Sequence, residues 1–218
     1  MSGGYVLYGA PGSGSVTVEA ALTLIGAPWR LEDAASWKDV TDSAEMARVN
    51  PMRQVPALVL PSGELMTESA AILTWLADSH PAAGLAPGLE SPMRPRFLRW
   101  MAFISAQIYA LYWVRDVPGR LAEGAANEAL IKDRTLARIA DCYRVMDAQV
   151  KPAGRFLLGD ELSALDLYLA VVSRWGPRRK GFYAAAPGLA AAVRAVDSEP
   201  RLAALWAARF PFNEGWEG

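Results

Sequence analysis

Strand-like and helix-like segments alternate over residues 1–80, a Pro/Gly-rich break follows, and only helical periodicity comes after it, which marks the chain as α/β plus all-α. The first strand is read over residues 5–8, a short apolar run broken by the turn-forming Pro11-Gly12-Ser13-Gly14. Over 16–25 the apolar residues recur with helical spacing, and Gly26 stands where helices commonly stop in the left-handed conformation. Residues 29–32 alternate as a second strand, and 43–49 suit a short helix. Residues 57–60 and 64–66 flank Pro61-Ser62-Gly63 as a hairpin, and 70–77 restore helical periodicity. The order β-α-β-α-β-β-α implies a mixed sheet with crossover helices on its faces and the hairpin as an antiparallel edge.

The Pro-, Gly-, Ala- and Ser-rich residues 81–91 read as a linker, placing one unit over 1–80 and another over 92–218. A helix is predicted over 96–114, carrying Trp100, Phe103, Ile104 and Leu111, and a second over 128–150. Ser163-Ala-Leu-Asp166 is a capping box, with Leu162 and Leu167 at the positions of a hydrophobic staple, so a helix is expected from there through Trp175. No internal repeat is present, and the alanine-rich stretch over 184–195 reads as helix packing.

Composition narrows the function. With 52% hydrophobic and 21% charged residues over 218 positions, the chain can bury a sizeable core. A net charge of -1 offers no general attraction for phosphate backbones or anionic lipid, so no nucleic-acid or membrane partner is expected. No apolar run reaches the roughly 20 residues of a membrane span and no signal peptide is read at the start, so a cytoplasmic location is expected. The single Cys142 and single His80 leave no dithiol and no metal site to expect.

The segment Asn50-Pro-Met-Arg-Gln-Val-Pro-Ala-Leu58, followed by Glu68-Ser-Ala-Ala-Ile72, carries a resemblance. It is similar to the cytosolic glutathione transferases, in which a valine-proline pair before the third strand and a glutamate-serine pair opening the third helix form the glutathione site. The Ser163–Asp166 box matches one that the family places in its helical domain. The resemblance implies a thioredoxin-like N-terminal domain, an all-helical C-terminal domain, glutathione as co-substrate and a homodimer.

Proline accepts a cis bond at a cost of only about 0.5–1 kcal/mol, so Val55-Pro56 suits the cis turn that the family uses. There the N–H and C=O of Val55 would pair with the cysteinyl backbone of glutathione as a short antiparallel strand. At Glu68-Ser69 the helix start presents unpaired N–H groups to the γ-glutamyl carboxylate, Ser69 adds a hydroxyl and Glu68 holds the ammonium group. By the resemblance Gln54 contacts the tripeptide, and Lys38 occupies a similar place. Taken without the family, Pro56 is equally a loop proline, and Thr67, Glu68 and Ser69 equally serve the helix cap and dipole.

Conjugation needs the thiolate, and a thiol of pKa about 8.5 is only a few per cent ionised at neutral pH. Lowering it by about two units requires about 2.7 kcal/mol, within reach of one hydrogen bond to the anion at about 1.5–3 kcal/mol plus a helix dipole. Ser13 is the expected donor, because its spacing from Leu7-Tyr8 resembles the serine-using delta and theta classes. Ser15 and Tyr8 remain open as alternatives. The beta class would place a cysteine at Gly14; its absence argues against mixed-disulfide chemistry. A small hydrophobic electrophile is expected against the stretch Ile108-Tyr-Ala-Leu-Tyr-Trp113, with Tyr109 and Trp113 lining its pocket and Phe212 and Trp216 as further candidates to close it. Two other readings share this fold: a ligand-binding or protein-interaction module without catalysis, and a glutathione-dependent isomerase or lyase.

Overall fold

The computed structural model describes residues 3–33, 38, 42–152 and 154–211. Four strands, β1 (Tyr5–Gly9), β2 (Trp29–Asp33), β3 (Ala57–Val59) and β4 (Leu65–Met66), form one sheet in the order β2-β1-β3-β4. β1 pairs parallel with β2, Leu7 facing Leu31, and antiparallel with β3, Leu7 facing Leu58; β3 pairs antiparallel with β4. The mixed sheet with its hairpin edge is therefore as the sequence predicts. Alternating burial along β1 puts Tyr5, Leu7 and Gly9 inside, and Gly63 at φ 89° supplies the left-handed residue of the hairpin turn.

The parallel pair requires a crossover, provided by α1 (Ser15–Ile25), in which residues 15–22 are all buried. A helix buried all round belongs between two layers, its polar Ser15, Thr17 and Glu19 included, and α1 lies between the sheet and the helical half. Gly26, at φ 72°, ends it in the left-handed conformation and returns its N–H to Leu22. Ser43 caps α2 (Ala44–Val49) by accepting the Met46 N–H at 2.9 Å. α3 (Ser69–Ser79) completes the first half.

The linker region is tied down on both sides. Arg94 forks onto both carboxylate oxygens of Asp78 at 2.7 and 2.6 Å, and the carbonyl of the buried Leu85 accepts the N–H of Ala164 at 2.7 Å. Beyond it lie α4 (Arg94–Phe103), α5 (Ala110–Asp116), α6 (Ala125–Val150), α7 (Ala164–Val172), α8 (Arg178–Ala185), α9 (Ala190–Asp197) and α10 (Ala203–Arg209). Residues 96–114 are not the single α-helix that their periodicity suggests, because a π-helical stretch, Ile104–Tyr109, separates α4 from α5. Such insertions keep the apolar repeat nearly intact while rotating the following side chains, so pattern alone does not show them. α7 also stops at Val172, short of Trp175.

The capping box holds α7 as expected. Asp166 accepts the Ser163 N–H at 2.9 Å, the Ser163 hydroxyl at 2.5 Å and the Leu157 N–H at 2.8 Å. One contiguous core runs from Leu7, Leu22 and Ile72 through Trp100 and Leu167 to Trp206. Among the described residues no helix is long and apolar enough to cross a membrane.

Candidate active site

A cavity of about 920 Å³ opens between the sheet half and the helical half. Its size is at the upper end of small-molecule sites, enough for a tripeptide and a second small molecule. The sheet-side wall contains Gly12, Ser13, Gly14, Gln54, Val55, Pro56, Glu68 and Ser69. Ser13, Gln54, Val55, Pro56, Glu68 and Ser69 thus lie on one surface, although they come from three separate loops. Lys38 is exposed and does not line the cavity.

The Val55–Pro56 peptide bond is cis. The approach to it is shaped by Asn50, which opens the motif and whose role its sequence does not reveal. Its side chain donates to the Gln54 carbonyl at 2.9 Å and accepts the Met52 N–H at 3.0 Å, closing the turn that presents Gln54 and Val55. Glu68 takes φ 65°, ψ 101° at the N-cap of α3, without a side-chain cap bond. A left-handed conformation at a residue with a Cβ costs of order 1–3 kcal/mol and is held where the surroundings demand it. Here it turns the chain so that Glu68 and the first N–H groups of α3 share the cavity. Ser69 is buried, and its hydroxyl bonds that of Tyr168 on α7 at 2.8 Å. Burial pushes the Tyr168 phenol up to about 12, so it remains a neutral hydrogen-bonding partner.

The loop before α1 separates the hydroxyl candidates. Ser15 is fully buried, accepts the Ala10 N–H at 3.1 Å and lies outside the cavity lining. Tyr8 also lies outside it, donating to Glu45 at 3.2 Å. Ser13 lines the cavity, yet its hydroxyl donates to the Ala10 carbonyl at 2.8 Å, contacts Ser15 Oγ at 2.8 Å and accepts the Ser15 N–H at 3.2 Å. A hydroxyl has one proton to give, so Ser13 must turn from Ala10 before it can serve a sulfur.

A second hydroxyl reaches the same place from the other wall. A Cβ built on Gly14 would lie 2.0 Å from Tyr109 Oη and 2.6 Å from its Cζ, so the phenol fills the space that a side chain at position 14 would take. Tyr109 Oη donates to the Val55 carbonyl over a long 3.4 Å. Burial, with smaller contributions from Tyr168 and Glu68, holds the phenol far above its ordinary range, so it stays a proton donor. Tyr109 therefore lines the cavity and turns its hydroxyl toward the loop.

On the helical side, Tyr112 and Trp113 also line the cavity, while Ile108 is fully buried behind them. Trp175 lies 5.0 Å from Tyr109 and 4.9 Å from Tyr112 between ring centroids, and its Nε1 donates to Gly12 O at 2.8 Å. Arg115, Arg120, Arg174 and Arg178 share this wall with the carboxylate of Asp116. Composition-wide charge gave no sign of them, because they converge from separate stretches. The cues for Tyr168 and Trp175 were their closeness to a capped helix start and to a Trp-Gly-Pro turn. Cys142 is buried on α6, donates to the Gln107 carbonyl at 3.3 Å and has its thiol pushed up by burial. Phe212 and Trp216 lie outside the described residues. No group of three or more metal-ligating side chains occurs among the described residues.

A thioredoxin-like sheet domain with a cleft against a helical bundle is the class that this architecture defines. The family described as "Glutathione S-transferase, N-terminal domain" matches residues 15–79. The uncharacterized GST-like protein YncG of Escherichia coli strain K12 is 32% identical over 197 residues, covering 90% of this chain and 94% of its own length. Glutathione S-transferase GST-4.5 of Xanthomonas campestris is 32% identical over 175 residues, covering 78% and 81%. A sphingomonad glutathione S-transferase solved in complex with glutathione superposes with a TM-score of 0.75 at 28% identity, covering 94% of this chain and 98% of the other. The chain belongs to the glutathione S-transferase family.

Proposed function

We propose that the protein binds glutathione along the sheet-side wall and catalyses attack of its thiolate on a small hydrophobic electrophile held against the helical wall. One juxtaposition carries this reading: the cis Val55–Pro56 peptide, the left-handed Glu68 at the start of α3 and the Ser13–Gly14 loop before α1 face a single cavity. The glutathione bound by the sphingomonad relative supports it. Val55 pairs with the cysteinyl backbone, Gln54 contacts the tripeptide, and Glu68 and Ser69 hold its γ-glutamyl end.

The sulfur then lies over Gly14. Tyr109 donates to it from the helical wall, and Ser13 does so from the sheet wall once its hydroxyl turns from the Ala10 carbonyl, favouring the anion over the thiol. With an aryl chloride, the thiolate forms a C–S bond to the ring carbon, chloride leaves with the C–Cl electron pair, and the thiol proton goes to solvent. Holding both partners in one cavity supplies the proximity term. A homodimer in the cytoplasm, with no nucleic-acid or membrane partner, completes the proposal.

Calorimetry with glutathione and turnover of 1-chloro-2,4-dinitrobenzene test it. Binding with turnover, reduced in Ser13→Ala and in Tyr109→Phe, is expected. Binding without turnover would leave a ligand-binding module, and absence of binding would overturn the reading altogether.

A further inference from the structure

The far end of the cavity is not the apolar pocket that a purely hydrophobic electrophile would require. Two chain segments meet there: the end of α5 with the turn after it, bearing Trp113, Arg115 and Arg120, and the turn Gly176-Pro177 that leads into α8 at Arg178. Their contact is close. A Cβ on Gly176 would stand 2.4 Å from Arg115 Nη2, so the absence of a side chain there makes room for the guanidinium. Tyr112 fixes the same turn by donating to the Gly176 carbonyl at 2.8 Å.

The charges at this end do not cancel internally. Arg115 pairs with Asp116 at 2.8 Å, although its Nε–H is buried with no hydrogen-bond partner. Arg174 is committed to Asp197 at 3.0 Å. Arg120 and Arg178 have no carboxylate within ion-pair distance among the described residues. Arg120 instead lies 4.6 Å over the centre of the Trp113 ring and donates to the Trp113 carbonyl. Trp113 is itself 42% exposed toward the opening, a large ring with one face already matched to a cation. Arg178 stands at φ 63°, a left-handed conformation rare for a residue with a Cβ, which holds its side chain at the cavity margin beside Gly176.

We infer that the second substrate is an anion, an apolar or aromatic electrophile bearing a carboxylate, with its ring against Trp113 and Tyr109 and its carboxylate between Arg120 and Arg178. This rests on the conjugation reading for the chemistry but not for the binding. Guanidinium groups pair with carboxylates through two parallel N–H donors, and because Arg120 and Arg178 are both exposed the pairing is sensitive to salt. The reaction is unchanged: the thiolate displaces a leaving group from the electrophilic carbon while the carboxylate stays intact as a handle.

A matched pair of probes isolates the handle. 4-Chloro-3,5-dinitrobenzoate and 1-chloro-2,4-dinitrobenzene both lose chloride to the thiolate, and only the first carries a carboxylate. With each kcat/KM divided by the uncatalysed rate constant, the benzoate is expected to lead by about tenfold or more in the wild type. Arg120→Gln/Arg178→Gln is expected to bring the two within about threefold. Both probes report on the same preparation, so loss of folded protein cancels in the ratio. A wild type that handles the neutral probe as well as the benzoate, or a lead that survives in the variant, would overturn the inference.

Calorimetry with S-hexylglutathione and S-(5-carboxypentyl)glutathione needs no turnover. The carboxylate form is expected to bind about fivefold tighter at low salt, with the advantage lost in the double variant and at about 0.5 M salt, where the Debye length falls below 5 Å. If that advantage appears while neither dinitrophenyl probe is turned over, conjugation fails and the anion subsite stands. If both conjugates bind equally, or both weaken equally in the variant because the arginines hold glutathione's own glycyl carboxylate, the subsite fails. If neither binds, both proposals fall.

Discussion

On the sheet side of the cavity, Gly12, Ser13, Val55, Glu68 and Ser69 present peptide groups and short side chains held by backbone geometry. On the helical side, Tyr109, Trp113 and Trp175 present rings, with arginines at the margin. The first wall suits a ligand that is itself a peptide, because N–H and C=O groups at fixed spacing recognise a backbone. The second recognises by shape and charge. A substitution of side chains can alter the second wall freely, whereas the first depends on where the chain turns.

The walls are also clamped together, and breaking the clamp carries the largest expected effect. Glu19 on α1 is buried and pairs with Arg209 of α10 at 2.8 Å, while Gly12 N–H bonds the Arg209 carbonyl at 3.2 Å. Arg209→Met leaves the carboxylate without its cation, which should cost about 3–5 kcal/mol in urea unfolding, with much of it restored by adding Glu19→Gln. The pH dependence has a definite sign. Burial raises the Glu19 pKa above its ordinary 4.5 against the pull of Arg209. Between 4.5 and the raised value the folded state binds more protons than the unfolded one, so this group's contribution to stability falls as pH rises through that window and is constant above it. In Arg209→Met the window should extend further upward, seen as a longer decline in stability across a pH series.

Tyr109→Phe comes next and tests whether the helical wall takes part in activating the sulfur. Losing a hydrogen bond to a charged group, about 1.5–3 kcal/mol, should lower kcat/KM for conjugation by about 10- to 150-fold, while glutathione affinity changes far less. Trp175→Phe removes the Nε1 bond to Gly12 and should cost about 1 kcal/mol in stability, measured by urea unfolding. The smallest effect is expected at Ser13, whose proton is already given to Ala10. Ser13→Ala should lower kcat/KM by less than about fivefold, below the cost of a full hydrogen bond to an anion. If Ser13→Ala proved costlier than Tyr109→Phe, activation would belong to the sheet wall alone.

Much of this site is legible in the chain itself. Val55-Pro56, Glu68-Ser69 and the Ser163–Asp166 box are short, contiguous motifs in which neighbouring residues do the work, so their spacing is visible without coordinates. The strands and first helices follow from period and punctuation for the same reason. The π-helical stretch was not legible, because inserting a residue into a helix changes direction rather than composition.

By itself, the sequence determined the order of strands and helices in the first half and the capped start of α7, both decided by local sterics and nearest-neighbour hydrogen bonds; the cis turn at Pro56 was implied by the family resemblance, and the left-handed Glu68 came with the structure. Tertiary structure alone decided which hydroxyl meets the space over Gly14, and that Arg120 and Arg178 share one opening. Those residues are tens of positions apart, and only the packing of the end of α5 against the turn at Gly176 brings them to the lining of one cavity.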